Sequence, residues 1–340
     1  MTRSGAPAPR ARRSLLIPFA VAAFLITTAC SALSGSQAQP QQAAPGPAQP
    51  GNLEKTELQV GVLPIVDLAA VQRAQSAGHF GAEGLDVTLV TIQGGAVAIP
   101  QLVSGDLDLS WTSWPSVILA QAQGIDDFRV LQPGYETAEK SFQLVTMPDS
   151  VVRTPQDLAG KRVATNTFNS ITEIMARSAM QDAGVDPETV EFVELPFPDM
   201  IPGLQNDQID AAILLEPFIA LAKSRLDARS VLDVAAGPTA ELPIAGVATT
   251  SRFAQENPNT LAAFERALGK AQYEMADRSV VEQTLPEYTT VEPEIVAQLT
   301  LGAWPTALAA PDLQRVSDLM LRFGVLTQEF DVAELLAPPG

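Results

Sequence analysis

The stretch ELQVGVLPIVDLAAVQRAQSAGHFGAEGLDVTLVTI, residues 57–92, holds the pattern that decides the fold. Leu58, Val60 and Val62 alternate with other residues at the period of two that marks a strand. The spacing then predicts a helix from Asp67 to Ala77, with Gly78 standing where a helix C-cap belongs. A second strand is expected from Leu85 to Ile92. Strand, helix and strand in immediate succession imply a parallel pair with the helix laid across one face.

Working outward, the same alternation continues. A helical segment near Ala98 to Val103 leads through Gly105-Asp106 to a short apolar strand at Leu107 to Leu109. A second run of the same kind begins after Asp149-Ser150. Thr154-Pro155-Gln156-Asp157-Leu158 starts a short helix, and Arg162 to Ala164 is a strand. Ser170-Ile171-Thr172-Glu173 has the form of a capping box, so a helix is predicted from Ile171 to Ala183, ending at Gly184. Val190 to Leu195 and Ala211 to Leu215 follow as strands, the latter entering a helix through Glu216-Pro217. Beyond Pro243 come one strand-like stretch, Ile244 to Thr249, and then helices over about Pro258 to Asp277, Glu292 to Leu301 and Asp312 to Phe323. The expected architecture is α/β: two lobes, with a helical tail returning to the first.

The 340 residues are 46% hydrophobic and carry a formal charge of −18, which suits a globular protein with a sizeable core. The acidity and the lack of a basic stripe exclude a nucleic-acid partner. At the N-terminus Arg3, Arg10, Arg12 and Arg13 precede an apolar run from Leu15 to Ala29, and then comes Cys30. That is the form of a signal peptide. The run falls short of the ~20 residues a membrane-spanning helix needs, and no later segment approaches it, which excludes a polytopic membrane protein. Ile26-Thr27-Thr28-Ala29-Cys30 resembles a bacterial lipobox, in which the cysteine takes up a lipid; the other reading is an ordinary secretory peptide with an incidental thiol. Cys30 is the one cysteine of the chain, so no intramolecular disulfide can form. Arg12-Arg13 leaves both general and twin-arginine export open. From Ser31 to about Asn52, Ser, Gln, Ala, Pro and Gly predominate with no charge, which predicts a disordered tether over residues 31–54.

Several stretches resemble a known family, the solute-binding proteins of bacterial nitrate, sulfonate and taurine importers with their thiamine-precursor relatives. They are Gly78-His79-Phe80 with Glu83-Gly84-Leu85-Asp86-Val87, and Leu102-Val103-Ser104-Gly105-Asp106-Leu107-Asp108. Asp157-Leu158-Ala159-Gly160-Lys161-Arg162-Val163, Gln208-Ile209-Asp210-Ala211-Ala212 and Leu215-Glu216-Pro217-Phe218 follow in family order. The resemblance implies a periplasmic-binding-protein type II fold, two α/β lobes joined by two crossover strands and closing on ligand like a hinge. The crossings are expected near Leu144-Met147 and Pro243-Val247, with lobe 1 over 55–145 plus 246–340 and lobe 2 over 146–245. It implies an extracytoplasmic monomer that binds a small-molecule ligand, needs no cofactor or metal, and hands the ligand to an ABC permease in the membrane to which lipidated Cys30 anchors it.

Ligands of open parallel sheets sit beyond the carboxyl ends of the strands, where loops and helix N-termini converge. That rule selects Pro64 and Asp67 after the first strand, Gly94 and Gly95 after the second, and Trp111, Thr112, Ser113 and Trp114 after the third. From the second lobe it selects Asn166, Phe168 and Ser170, then Phe197 and Asp199, and Glu216. Gly94-Gly95 either brings N–H groups to an anion or makes a tight turn. Trp111 and Trp114 either wall the ligand or belong to the core. Glu216 either pairs with a ligand amine or is a carboxylate at a helix N-terminus. His79, in a turn at a helix end, reads as structural, and Lys161 and Arg162 lie at the amino end of their sheet. With no cation in the carboxyl-end loops, a sulfonate or nitrate would rest on helix N-termini and hydroxyls, while the aromatics and carboxylates suit a heteroaromatic or amine-bearing solute. Catalysis is not expected: one histidine and one cysteine supply no metal cluster, and no nucleophile elbow or P-loop is present. A lipid-anchored ligand sensor would use the same capture step.

Overall fold

The computed structural model describes residues 52–336. The expectations for the signal peptide, Cys30 and nearly all of the tether lie outside the described residues. Ten strands form two five-stranded sheets: β1 (Glu57–Val62), β2 (Asp86–Thr91), β3 (Leu109–Ser113), β4 (Phe128–Glu136), β5 (Phe142–Thr146), β6 (Arg162–Thr165), β7 (Glu191–Glu194), β8 (Ala211–Leu215), β9 (Arg229–Asp233) and β10 (Pro243–Thr250). The first sheet runs β2-β1-β3-β10-β4 and the second β7-β6-β8-β5-β9. The two sheets share one plan. Three parallel strands come first, and the fourth place goes to an antiparallel strand that follows a crossing from the other lobe.

That plan corrects the predicted crossings. Leu144 and Val145 pair with β8 and β9 inside the second sheet, and Pro243 to Val247 pair with β3 and β4 inside the first. Apolar residues there are buried within a sheet on both sides, so the crossings fall in the small and polar stretches just before them, residues 137–141 and 234–242. Thr137 ties the two together. Its N–H donates to the Leu242 carbonyl (3.0 Å), its hydroxyl donates to the Thr239 carbonyl (3.0 Å), and the same hydroxyl oxygen of Thr137 accepts from the Leu242 N–H (2.9 Å). Each lobe boundary therefore lies a few residues earlier than the sequence suggested.

The helical tail packs on the first lobe, as the sequence implied. The helix Pro258–Glu274 lies along the helix Ala69–Ser76 and the turn at His79. Phe80 and Phe264 stack with ring centroids 5.0 Å apart. Arg73 and His79 both reach Glu274 (2.6 and 2.9 Å), and Arg266 reaches Glu83 (2.6 Å). His79 is thus a buried member of this seam, the structural role its place in the turn suggested. Gly78 has φ 73°, a left-handed conformation in which glycine carries no Cβ penalty.

Three local expectations change. The third strand is β3, not Leu107 to Leu109, so Trp111, Thr112 and Ser113 are strand residues paired with β10. The region Glu292 to Leu301 keeps only the short helix Pro293–Val296, because its C-terminal part is drawn off to other partners: the Thr300 N–H donates to Glu216 (3.1 Å) and Ala303 bridges to Glu136. The helix Ile171–Asp182 forms without the capping box. The Ser170 hydroxyl instead contacts those of Thr172 (2.8 Å) and Thr165 (3.2 Å), and Glu173 accepts from the N–H of Asn169 and pairs with Arg177.

The first sheet closes only because two glycines lie under two tryptophans. A Cβ at Gly134 of β4 would enter the Trp111 ring, and one at Gly246 of β10 would meet both the Trp114 ring and the Gln132 carbonyl. Gly134→Ala is expected to lower stability by about 1–3 kcal/mol, the usual cost of forcing atoms into a packed core. Thermal denaturation reads this; an unchanged midpoint would show that Trp111 moves aside freely.

Candidate functional site

The carboxyl ends of the three parallel strands in each sheet face one another across a cleft with an empty volume of about 410 Å³, its open mouth included. The first lobe lines it with Leu63, Ile65 and Asp67 after β1, Gly95 after β2, Trp111 and Ser113 in β3, and Ile244 and Ala245 in β10. The second lobe supplies Asn166 and Ser170 after β6, Ile171 and Thr172 at the start of a helix, Phe197 after β7, Leu215 in β8 and Phe142 in β5. Most of this wall is apolar. Its polar groups are few and fixed, the usual make-up of a small-molecule site.

The sequence-derived candidates divide. Asp67, Gly95, Trp111, Ser113, Asn166, Ser170 and Phe197 line the cleft together. Pro64 and Asp199 line an adjoining groove, of which Phe197 forms one wall. Phe197 is held there by stacking on Phe218, with centroids 5.7 Å apart. Thr112 and Trp114 are buried on the other side of the strand end: Trp114 is core under Gly246, and the Thr112 hydroxyl packs against Gly95. Phe168 is 49% exposed at the surface. Gly94 is a point of close approach between lobes, where a Cβ would stand 2.7 Å from the Thr167 methyl and 3.2 Å from the Asn166 amide nitrogen.

Glu216 leaves the candidate set. Its carboxylate accepts from the N–H groups of Ala220 (3.1 Å) and Thr300 (3.1 Å), and its carbonyl accepts from the Val66 N–H (3.1 Å). Both oxygens are occupied at a helix start, and the residue clasps the second lobe to two segments of the first. Burial raises its pKa and these backbone donors partly offset that.

Asp67 is the one ionisable side chain among the described residues that line the cleft. It is 2% exposed, and its Oδ1 has no hydrogen-bond partner in the protein. Burial pushes its pKa up to about 7, with its own backbone N–H the sole opposing contact. Behind it the segment is pinned by aromatic side chains that sequence reasoning did not place there. The Trp304 indole N–H donates to the Asp67 carbonyl (3.1 Å), the Tyr288 hydroxyl donates to the Ile65 carbonyl (2.9 Å), and Tyr135 packs edge-on against Trp304 (5.1 Å). Burial first, and the Asp67 charge second, hold the Tyr135 and Tyr288 phenols well above their ordinary pKa. Trp111 supplies the complementary group. It is 1% exposed, and its indole N–H also has no partner in the protein.

On the second lobe, Thr172 donates its hydroxyl to the side-chain amide oxygen of Asn166 (2.8 Å) and sits within the Thr165–Ser170 hydroxyl cluster at the N-terminus of the helix Ile171–Asp182. That helix and Gly95–Ser104 both start at the cleft wall, so partial positive charge faces the space from each lobe.

A carboxylate whose folded pKa lies above its unfolded value binds more protons folded than unfolded over the interval between them. Asp67 therefore costs the fold progressively more as pH rises from about 4 to about 7, and the full cost persists above. Relative to the wild type, Asp67→Asn should gain about 2–3 kcal/mol of stability between pH 5 and pH 8. Chemical denaturation across that range checks it; parallel profiles for the two proteins would show an ordinary carboxylate.

Comparisons with known proteins agree with this architecture. The family described as "NMT1/THI5 like" matches residues 66–278, more than half of the chain. A taurine-binding periplasmic protein of Escherichia coli (strain K12) is 28% identical over 203 residues, covering 58% of this chain and 61% of that protein's length. Among solved structures, the alkanesulfonate-binding protein SsuA from Xanthomonas axonopodis pv. citri bound to MOPS superposes with TM-score 0.70 at 19% identity, covering 83% of this chain and 98% of that one. The periplasmic nitrate-binding protein NrtA from Synechocystis PCC 6803 gives TM-score 0.70 at 14% identity, over 82% and 84%. The fold is that of a type II periplasmic binding protein, and the chain belongs to the NMT1/THI5-like family.

Proposed function

We propose that this protein is the extracytoplasmic solute-binding component of an ATP-driven importer, capturing a small organic solute in the cleft between its lobes. One observation carries the reading: the carboxyl ends of the parallel strands of both sheets converge on a single cleft whose walls come from both lobes. A site shared in this way couples occupancy to closure, because only the closed arrangement presents every contact at once. The wall offers aromatic and aliphatic surface from Trp111, Phe142, Phe197 and Leu215, with hydroxyls, an amide and helix N-termini to orient the solute. It pairs no nucleophile with a base, which favours capture over chemistry. The names of the relatives support the same class, solutes of the sulfonate, nitrate and taurine kind.

In this reading the chain is exported, held to the cell membrane by lipid on Cys30 through the tether of residues 31–54, and works as a monomer that presents its loaded form to a permease. Radiolabelled palmitate incorporation, lost in Cys30→Ser, tests the anchor.

The capture step is tested by a thermal-shift screen of the mature chain against alkanesulfonates, taurine, nitrate, aminopyrimidines, aromatic carboxylates and amines. A solute at 100 times its Kd should stabilise the native state by about 2.7 kcal/mol, a shift of a few degrees for a protein of this size. A saturable shift with the solute recovered intact is expected. Conversion of the solute to product would overturn the binding-protein assignment.

A further inference from the structure

The polar groups of the cleft are mismatched to a bare anion. We propose that the solute is a small zwitterion whose ammonium group binds Asp67 Oδ1 while an acidic oxygen accepts from the Trp111 indole N–H. This deepens the proposed capture function and rests on it. Asp67 and Trp111 both line this cleft, each is at least nine-tenths buried, and each carries a buried polar atom, Oδ1 and the indole nitrogen, that has no partner in the protein. Buried polar groups are nearly always satisfied, so an orphan acceptor and an orphan donor in one cleft point to a ligand that carries the complementary pair.

Charge sharpens the choice. No lysine, arginine or histidine is among the described residues of the cleft wall, so no cationic side chain there balances the ionised form of Asp67. Nitrate or a simple alkanesulfonate would add a second negative charge beside it at low dielectric. A solute with its own cation removes that repulsion and leaves its acidic end for Trp111 and for the helix N-termini at Gly95 and Ile171. The titratable groups around Asp67 fit the same account. Tyr135 from β4 and Tyr288 from the helix Arg278–Tyr288 are phenols held neutral, and Glu216 at the end of β8 is a second carboxyl group in this neighbourhood.

Two matched pairs of probes test this on the mature chain by calorimetry: taurine against ethanesulfonate, and γ-aminobutyrate against butyrate. Each pair differs by the amine. The zwitterion of at least one pair should bind, and its amine-free partner should bind about 30-fold more weakly or worse, as when one member of a buried charge pair is removed. Asp67→Asn should abolish that preference while leaving ethanesulfonate binding equal or tighter. Trp111→Phe, which removes the N–H together with part of the ring packed at Gly134, should weaken zwitterion binding by more than the loss of thermal stability read alongside it accounts for. Asp67 must ionise to pair, so zwitterion affinity should fall about tenfold per unit as pH drops from 7 to 5, with proton release visible as buffer-dependent heat near pH 7. Binding of ethanesulfonate or butyrate as tightly as the zwitterion, unchanged in Asp67→Asn, would overturn this inference and leave solute capture standing. Binding by none of the four probes to a folded protein would overturn the zwitterion and the sulfonate-type capture together.

Discussion

The arrangement depends on a returning strand being admitted between two others. β10 comes back from the second lobe and inserts antiparallel between β3 and β4, and it can lie flat there only where side chains are missing. Gly246 lets its backbone pass close to the Gln132 carbonyl and the Trp114 ring, and Gly134 on the next strand makes room for Trp111. With those gaps filled by indole rings, the first sheet is complete and both crossings are fixed in position. Trp111 then has its ring wedged against Gly134 while the residue also lines the cleft, so one side chain belongs to both the core and the candidate site.

The second lobe repeats the plan with different fastenings. Where the first sheet uses tryptophan on glycine, the second uses a hydroxyl cluster of Thr165, Ser170 and Thr172 to finish the strand end and start a helix. At the amino end, Arg162 binds Asp210 and the carbonyls of Asp207 and Gln208, which keeps that cation away from the cleft. The opposing ends of the sheets therefore differ in electrostatic character. Positive side chains hold the outer ends together, and the inner ends rely on backbone dipoles.

Much of the fold was legible because residues 57–92 and 162–215 alternate strand and helix patterns at short range, and the strand-end rule led directly to Asp67, Gly95, Asn166, Ser170 and Phe197. What was not legible depended on partners far away in the chain. Whether Trp111 or Trp114 faces the cleft is set by the register of β3 against β10, since residues a few apart at a strand end go to different sides. The fate of Glu216 is decided by the Thr300 N–H, 84 residues on. Tyr135, Tyr288 and Trp304 come from three separate elements, and no local pattern gathers them behind Asp67. The crossings were misplaced by a few residues because a strand that follows a crossing and a strand that makes one have the same apolar composition.

The clasp at Glu216 has a kinetic consequence. Its carbonyl and carboxylate hold Val66 and Thr300 of the first lobe while the cleft is closed. Under the proposed capture function, a solute bound for Asp67 would have to wait for those bonds to part. Encounter would then be governed by how often the cleft opens as well as by diffusion, and at high solute concentration the association rate would level off at the opening rate. The same fastening delays escape once the solute is inside. In that function, arrival and residence times would both depend on a residue outside the cleft wall.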